Sequence, residues 1–255
     1  MFVFTTPRII DPDPGEFTFD QRFRSPELAH LLGTDDQERD VFVRVLFEVQ
    51  HSFEVGMVVA VIVLLTGLFL GILSRSNRHF TGILSKLREA VRSVPPILFV
   101  VALLLIYDGN LTTLLAATAL STLPPMVDNI ASQFRQLQGS GFVEAARATG
   151  VTQSRILGRY LLPTCVATGL AQVGSTFAAA VIIEATISFL GFNPRPESIS
   201  TGEMISYSSL FLASAPWAFF APAMALTVTL LLAQPFSRGL RTEFKPELQA
   251  LLTRP

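Results

Sequence analysis

Five stretches of the chain are apolar and nearly devoid of charge: residues 55–73 (VGMVVAVIVLLTGLFLGIL), 94–107, 111–127, 163–190 and 215–236. A helix crossing a bilayer core needs about 20 apolar residues, with about 17 to 25 tolerated, so the first and the last two are long enough as they stand. Residues 94–127 taken as one helix would run about 50 Å at about 1.5 Å per residue, against a hydrocarbon core of about 30 Å. The sequence YDGN at 107–110 is turn chemistry and divides that stretch into two shorter spans.

The pattern changes character in two places. Before the first run, Val41, Val45 and Val49 with Phe42 and Leu46 form an apolar stripe of helical period, and Thr34 followed by Gln37 has capping-box spacing. These predict an amphipathic helix outside the membrane that leads into the first span. The second place is GSGFVEAARATGVTQSRILGRYLLP at 139–163, where short, alanine-rich, charged helical pieces replace the long apolar runs. Gly141 is expected as N-cap, with Glu144 at the third helical position, where a carboxylate favours the positive end of the helix dipole. Gly150 suits the left-handed residue that ends a helix, and Thr152 suits the cap of a second helix through Arg159 to Leu162. Pro163 then opens the next span, where its missing N–H costs nothing. Ala145, Ala146 and Ala148 leave one surface shallow enough for another protein to approach. Spacing alone leaves open whether this elbow is a docking surface or an amphipathic connector.

Charge orients the spans. Residues 74–93 carry Arg75, Arg78, Lys86, Arg88 and Arg92, and residues 128–162 carry Arg135, Arg147, Arg155 and Arg159, so both face the cytoplasm under the positive-inside rule. The tail, with Arg238, Arg241, Lys245 and Arg254, falls on the same side, whereas residues 191–214 hold Arg195 alone. Residues 1–54 hold 11 acidic and 5 basic side chains and are placed outside. The expected fold is all-α, a polytopic transmembrane helix bundle with five visible spans. An acidic N-terminus outside, with no helix ahead of it, leads to the further expectation that a first, sixth span is missing or lies upstream. The division is 1–54, an extracytoplasmic acidic segment with the amphipathic helix; 55–236, the membrane core with the elbow 139–163; and 237–255, a cytoplasmic tail.

Composition agrees with a membrane protein: 50% of the residues are hydrophobic and 15% charged, against about 25% charged in ordinary soluble domains. The lone Cys165 and the separated His30, His51 and His79 offer no metal-ligand spacing. There is no G-x-x-x-x-G-K-[ST] loop to cradle ATP, no catalytic triad or paired carboxylates, and no basic patch interleaved with aromatics for nucleic acid. Within the fourth run Ala167, Ala171, Ser175 and Ala179 recur every four residues, with Gly174 beside them, a pattern that lets helices approach closely. That face lines a pore, meets a partner, or packs within the chain. Glu184 near the outer end of the same run is read as an outer gate, a partner contact or a structural ion pair. Pro124 and Pro125 shape the inner end of the third span or hinge it, and Trp217 reads as an interfacial anchor.

The combination Glu144-Ala145-Ala146, Gly150 four residues later, and Leu162-Pro163 at the foot of a span resembles the EAA motif of ABC-importer permeases, with Tyr160 at a place usually aliphatic. HLLGTDDQERDVFVRVL (30–46), EATISFLGF (184–192) and residues 215–248 are similar to the branch that imports dipeptides, oligopeptides or nickel, specifically its C-type subunit, with Glu38 where glycine is usual. EVQHSFEVG (48–56) and SRSNRHFTG (74–82) depart from that branch's pattern. The resemblance implies a six-span permease subunit in a bacterial cytoplasmic (inner) membrane. It implies a second permease, two cytoplasmic ATPase subunits that bind ATP and magnesium, and an external substrate-binding protein as partners. This chain itself is expected to hold no cofactor. Gly141, Glu144, Ala145, Ala146, Gly150, Leu162 and Pro163 would couple the ATPases to transport. Peptides are the expected cargo; nickel or another small solute, or a degenerate non-transporting scaffold, are the alternatives.

Overall fold

The computed structural model describes residues 23–73, 78–194 and 200–233. The basic residues Arg75, Arg195, Arg238, Arg241, Lys245 and Arg254, the side chain of Arg78 and the tail 237–255 lie outside the described residues, as do residues 1–22 of the acidic N-terminal segment. Among the described residues there are helices and one isolated antiparallel bridge, Thr34–Asp40, but no strand. The helices are α1 (Val41–Leu73), α2 (Arg78–Ser93), α3 (Pro96–Ile106), α4 (Leu111–Gln138), α5 (Gly141–Ala148), α6 (Gln153–Ile156), α7 (Leu162–Phe189), α8 (Thr201–Ser208) and α9 (Pro216–Ala233).

The amphipathic stripe and the first apolar run form one unbroken 33-residue helix, α1, so the boundary drawn at residue 54 falls inside it. Its cap is Asp40, whose Oδ1 accepts from the Phe42 and Val43 N–H groups at 2.8 and 3.2 Å. Thr34 is not the cap expected from the spacing. Its hydroxyl accepts from the Arg24 N–H at 2.9 Å, and Asp35 draws residues 35–39 into a loop by accepting from the Gln37 and Arg39 N–H groups. A helix beginning at Thr34 would have to give up that loop. Trp217, read from the sequence as an interfacial anchor, has a contact within the chain that the sequence did not announce. Its indole N–H donates to the Thr34 carbonyl at 3.3 Å and its ring lies on Gly33, so it pins the loop ahead of α1.

Three helical segments are long and apolar enough to cross a membrane: Val41–Leu73, Gln153–Phe189 and Pro216–Ala233. α2 and α3 meet at an angle of 95°. Pro95 and Pro96 explain the corner, because Pro95 is held at ψ 133°, outside the helical region, by the ring that follows it. α3 has only 11 residues before the Tyr107–Asn110 turn, where Gly109 takes φ +56° and Asn110 Oδ1 accepts from the Thr113 N–H at 2.9 Å to cap α4. α4 then runs through Pro124 and Pro125 to Gln138, so the prolines neither end the helix nor break it. At that end Arg88 and Arg92 of α2 hold the two oxygens of Asp128 at 3.2 and 2.7 Å.

α1 packs between α4 and α7 along a line of small residues. A Cβ on Gly67 or Gly71 would fall 2.4 to 2.7 Å from the side chains of Met126 and Ile130, and one on Gly169 would lie 2.6 Å from Leu64. Such close approach replaces the hydrophobic effect, which does not drive helices together in lipid. The central core gathers Val59 and Val63 of α1, Met126 and Ile130 of α4, and Cys165 and Ala180 of α7, and it extends outward to Val143 and Ile156 of the elbow.

Candidate functional site

The elbow begins one residue earlier than its sequence suggests. Ser140, not Gly141, occupies the N-cap, with φ −79° and ψ 142°. Its hydroxyl turns back to the Leu137 carbonyl, so the cap is a backbone one, with the Val143 and Glu144 N–H groups bonded to the Ser140 carbonyl. Glu144 remains in the first turn of α5, where its charge favours the helix dipole. The other end follows expectation closely. Gly150 has φ +83°, its N–H bonds to the Arg147 carbonyl, and the Val151 N–H reaches back to Ala146, both at 3.0 Å. These two bonds make the Schellman closure that a left-handed residue permits. Thr152 caps α6 by backbone position, at ψ 146°, with no side-chain bond to the helix.

The second arm does not stop before the span. α6 passes through a single π-helical turn, Leu157–Leu161, into α7, giving a continuous helix from Gln153 to Phe189. Pro163 stands in the first turn of α7, as expected, but α7 continues from α6 without a break, so the proline's missing N–H is not free of cost. Lacking an N–H, it cannot serve the Arg159 carbonyl, and the turn just ahead widens so that the Leu162 N–H bonds to Leu157, five residues back.

Burial sorts the elbow residues into two faces. Val143 and Ile156 are fully buried and anchor one residue of each arm in the core that also holds Leu161 and Cys165. Ala146 is half-buried against that core, and Pro163 is half-buried. Gly141, Glu144, Ala145, Ala148, Gly150 and Leu162 are exposed, and no atom lies within 4 Å of a Cβ placed on Gly141 or Gly150. The result is a fixed, shallow, outward surface with one carboxylate. Beside it, Leu68, Ile72, Phe134, Leu157 and Val166 line a groove of about 680 Å³ that reaches Gln138 and Gln153.

The six residues singled out in the fourth apolar run do not share a face. Ser175 is exposed and Ala167, Ala171 and Ala179 are half-buried, but Gly174 and Glu184 point into the bundle. Residue 174 lies about 100° round the helix from residue 175, which carries it inward. Glu184 is 1% exposed, and accepts from the Ser188 hydroxyl at 3.2 Å and from the Ser52 hydroxyl at 3.4 Å. Ser52 also touches the Thr201 hydroxyl at 3.5 Å, and Glu48, one turn before Ser52 on α1, is buried in the same cluster. Glu48 was not singled out from the sequence, because the long-range packing of α1, α7 and α8 creates this cluster. Its spacing from Ser52, four residues, was the only available signal.

A bundle of apolar helices with a polar corner outside its core defines the class: a multi-pass helical membrane protein. Residues 53–240 match the model of the binding-protein-dependent transport system inner membrane component, and the chain belongs to that family. It is a membrane permease subunit and not a catalytic enzyme. The chain is 30% identical over 243 residues to a protein of Brucella suis biovar 1 whose name assigns it to a peptide transport system as permease, covering 95% of this chain and 82% of that one. It is 28% identical over 230 residues to the dipeptide transport system permease protein DppC of Alkalihalophilus pseudofirmus, covering 90% and 76%. Its fold is similar to that of an amino acid ABC transporter solved with histidines, with a TM-score of 0.59 at 17% identity, covering 79% of this chain and 94% of that one.

Proposed function

We propose that this chain is the permease subunit of an ATP-driven importer of dipeptides or oligopeptides, working beside a second permease. In this reading the elbow faces the cytoplasm, as does the tail 237–255. Two ATPases dock on it and bind the ATP and magnesium; an external binding protein delivers the substrate. The observation that carries the reading is the two-faced elbow. Glu144, Ala145 and Gly150 are open to a partner while Val143 and Ile156 lock the same corner into the bundle. A push on the outer face cannot be absorbed by the elbow sliding over the bundle, because both arms are keyed into the core. It passes through the continuous α6–α7 helix and tilts it. Repeated with the partner permease, such tilting exposes a central path first to one side and then to the other. The peptide assignment is supported by the names of the relatives.

The decisive experiment is uptake of a labelled dipeptide or oligopeptide into proteoliposomes holding both permeases and both ATPases, with the binding protein and ATP supplied. ATP-dependent accumulation is expected; none with a fully assembled complex overturns the reading. Glu144→Lys places a cation at the positive end of α5 and in the docking surface. It is expected to insert and assemble, yet to cut stimulation of the ATPases at least tenfold.

A further inference from the structure

α4 and α7 meet along a seam whose chemistry differs from that of the outward face of α1 at the same level. On α4 the exposed or half-exposed positions are Thr122, Pro125 and Asn129; on α7 they are Thr168, Gln172 and Ser175. Across the seam Asn129 Nδ2 donates to Gln172 Oε1 at 2.6 Å. On α1, Leu65 and Phe69 are exposed at the same level of the bundle, because the intervening Gly67 and nearby Gly71 pack on Met126 and Ile130. Leucine and phenylalanine suit lipid at that level. A pair of carboxamides does not: their one mutual bond uses one N–H of Asn129 and leaves its other N–H, its Oδ1 and both N–H donors of Gln172 to be satisfied, which hydrocarbon cannot do. Pro125 adds an acceptor on the same face, since it offers no N–H to the Ser121 carbonyl one turn away. The hydroxyls of Ser175 and Thr168 donate to their own helix, at the Gln172 and Thr164 carbonyls, and leave their lone pairs outward. The seam thus offers acceptors along its length and N–H donors at the Asn129–Gln172 pair.

The seam is also mechanically placed. Gln172 stands nine residues beyond Pro163 on the helix that continues into the elbow, whereas Asn129 stands on α4, which is tied by Asp128 to Arg88 and Arg92 of α2. The hydrogen bond therefore joins the helix driven by the elbow to one held by a separate brace.

We propose that Asn129 and Gln172 form the latch of a gate, on this chain's wall of the central path between the two permeases and at its elbow-side mouth, joined while that mouth is closed, whose parted carboxamides hydrogen-bond the main-chain amides of a passing peptide. Main-chain recognition requires no particular side chain on the cargo. The proposal rests on the reading of the chain as a peptide-importing permease, and its test keeps the two apart.

In the complete importer, Cys165→Ala removes the single cysteine, and Asn129→Cys with Gln172→Cys introduces a pair that a short bifunctional methanethiosulfonate reagent can bridge. Bridging is expected without nucleotide and at least threefold lower yield with ATP and vanadate, a readout that needs no substrate. Equal yield in both states, or no bridging at all, overturns the gate whatever the cargo. With a peptide as substrate, bridging is expected to lower uptake at least tenfold and dithiothreitol to restore it; full uptake by the bridged importer overturns the gate and leaves the peptide reading standing. Asn129→Leu, which keeps the branched shape, and Gln172→Met, which keeps the length, are expected to raise the half-saturating peptide concentration severalfold in assembled complexes. Unchanged values overturn the backbone-recognition part. If the Cys165→Ala importer and its native parent both fail to import peptide while bridging still responds to ATP, the peptide reading falls and the gate stands.

Discussion

Gly150 is the residue on which the elbow's shape turns. Its φ of +83° lies where a Cβ meets the backbone, at about 1–2 kcal/mol, although the space around it is open. The cost of Gly150→Ala is therefore conformational and not steric. It is expected to lower the thermal stability of the purified complex only slightly while reducing ATPase stimulation severalfold, and Gly150→Asn, which tolerates the left-handed region better, should fall between the two. Scanning calorimetry alongside ATPase assays checks both. At this scale the sequence was informative wherever the chemistry is local. A glycine after an alanine-rich turn announces a left-handed close, and the Tyr107–Asn110 turn was legible for the same reason. It was misleading where two residues competed for one task. Ser140 and Gly141 both suit a cap, as do Thr34 and Asp40, and the choice was made by hydrogen bonds to Leu137 and Arg24 that no short window contains. Asn129 and Gln172 are 43 residues apart and could not be paired from the sequence.

Helices were longer than the pattern of apolar runs implied. Stretches 41–54 and 55–73 read as different objects because one is amphipathic and the other apolar, yet the backbone passes from one to the other without a breaker. The same holds at Pro124, Pro125 and Pro163, where the sequence suggests ends and the chain continues. A proline removes one backbone bond, and a helix embedded among neighbours tolerates that loss by widening a turn or leaving a carbonyl to another donor. The π turn at Leu157–Leu161 is such an accommodation, and it sets the angle between the elbow and α7. Pro163→Ala restores an N–H for the Arg159 carbonyl and allows the turn to tighten, which swings the elbow relative to α7. Assembly is expected to survive while binding-protein-stimulated ATP hydrolysis falls severalfold; retained stimulation would show that the widened turn is not needed for coupling.

In the whole molecule, the helical membrane fold was legible because 50% hydrophobic composition and long uncharged runs permit little else. How the helices pack was not. The close contacts of Gly67 and Gly71 follow a four-residue spacing within the first apolar run that could have been recognised, whereas the meeting of Ser52, Glu184, Ser188 and Thr201 depends on three helices at once. Glu184→Gln keeps the volume and one carbonyl oxygen but offers an amide to a hydroxyl that now donates to a carboxylate. Transport is expected to slow severalfold with assembly intact, and unchanged uptake at normal assembly would exclude this end of the bundle from the transport cycle.

α1 joins these distant regions. With 33 residues it measures about 50 Å at about 1.5 Å per residue. Its capped start lies against the loop fixed by Trp217, its middle carries Ser52 to Glu184, and its far end walls the groove beside α6. Gly67 and Gly71 press it on α4, and Gly56, about three turns nearer its start, presses as closely on Phe177 and Val181 of α7. A stiff rod keyed at two separated levels passes a displacement from one end of the bundle to the other instead of absorbing it by bending.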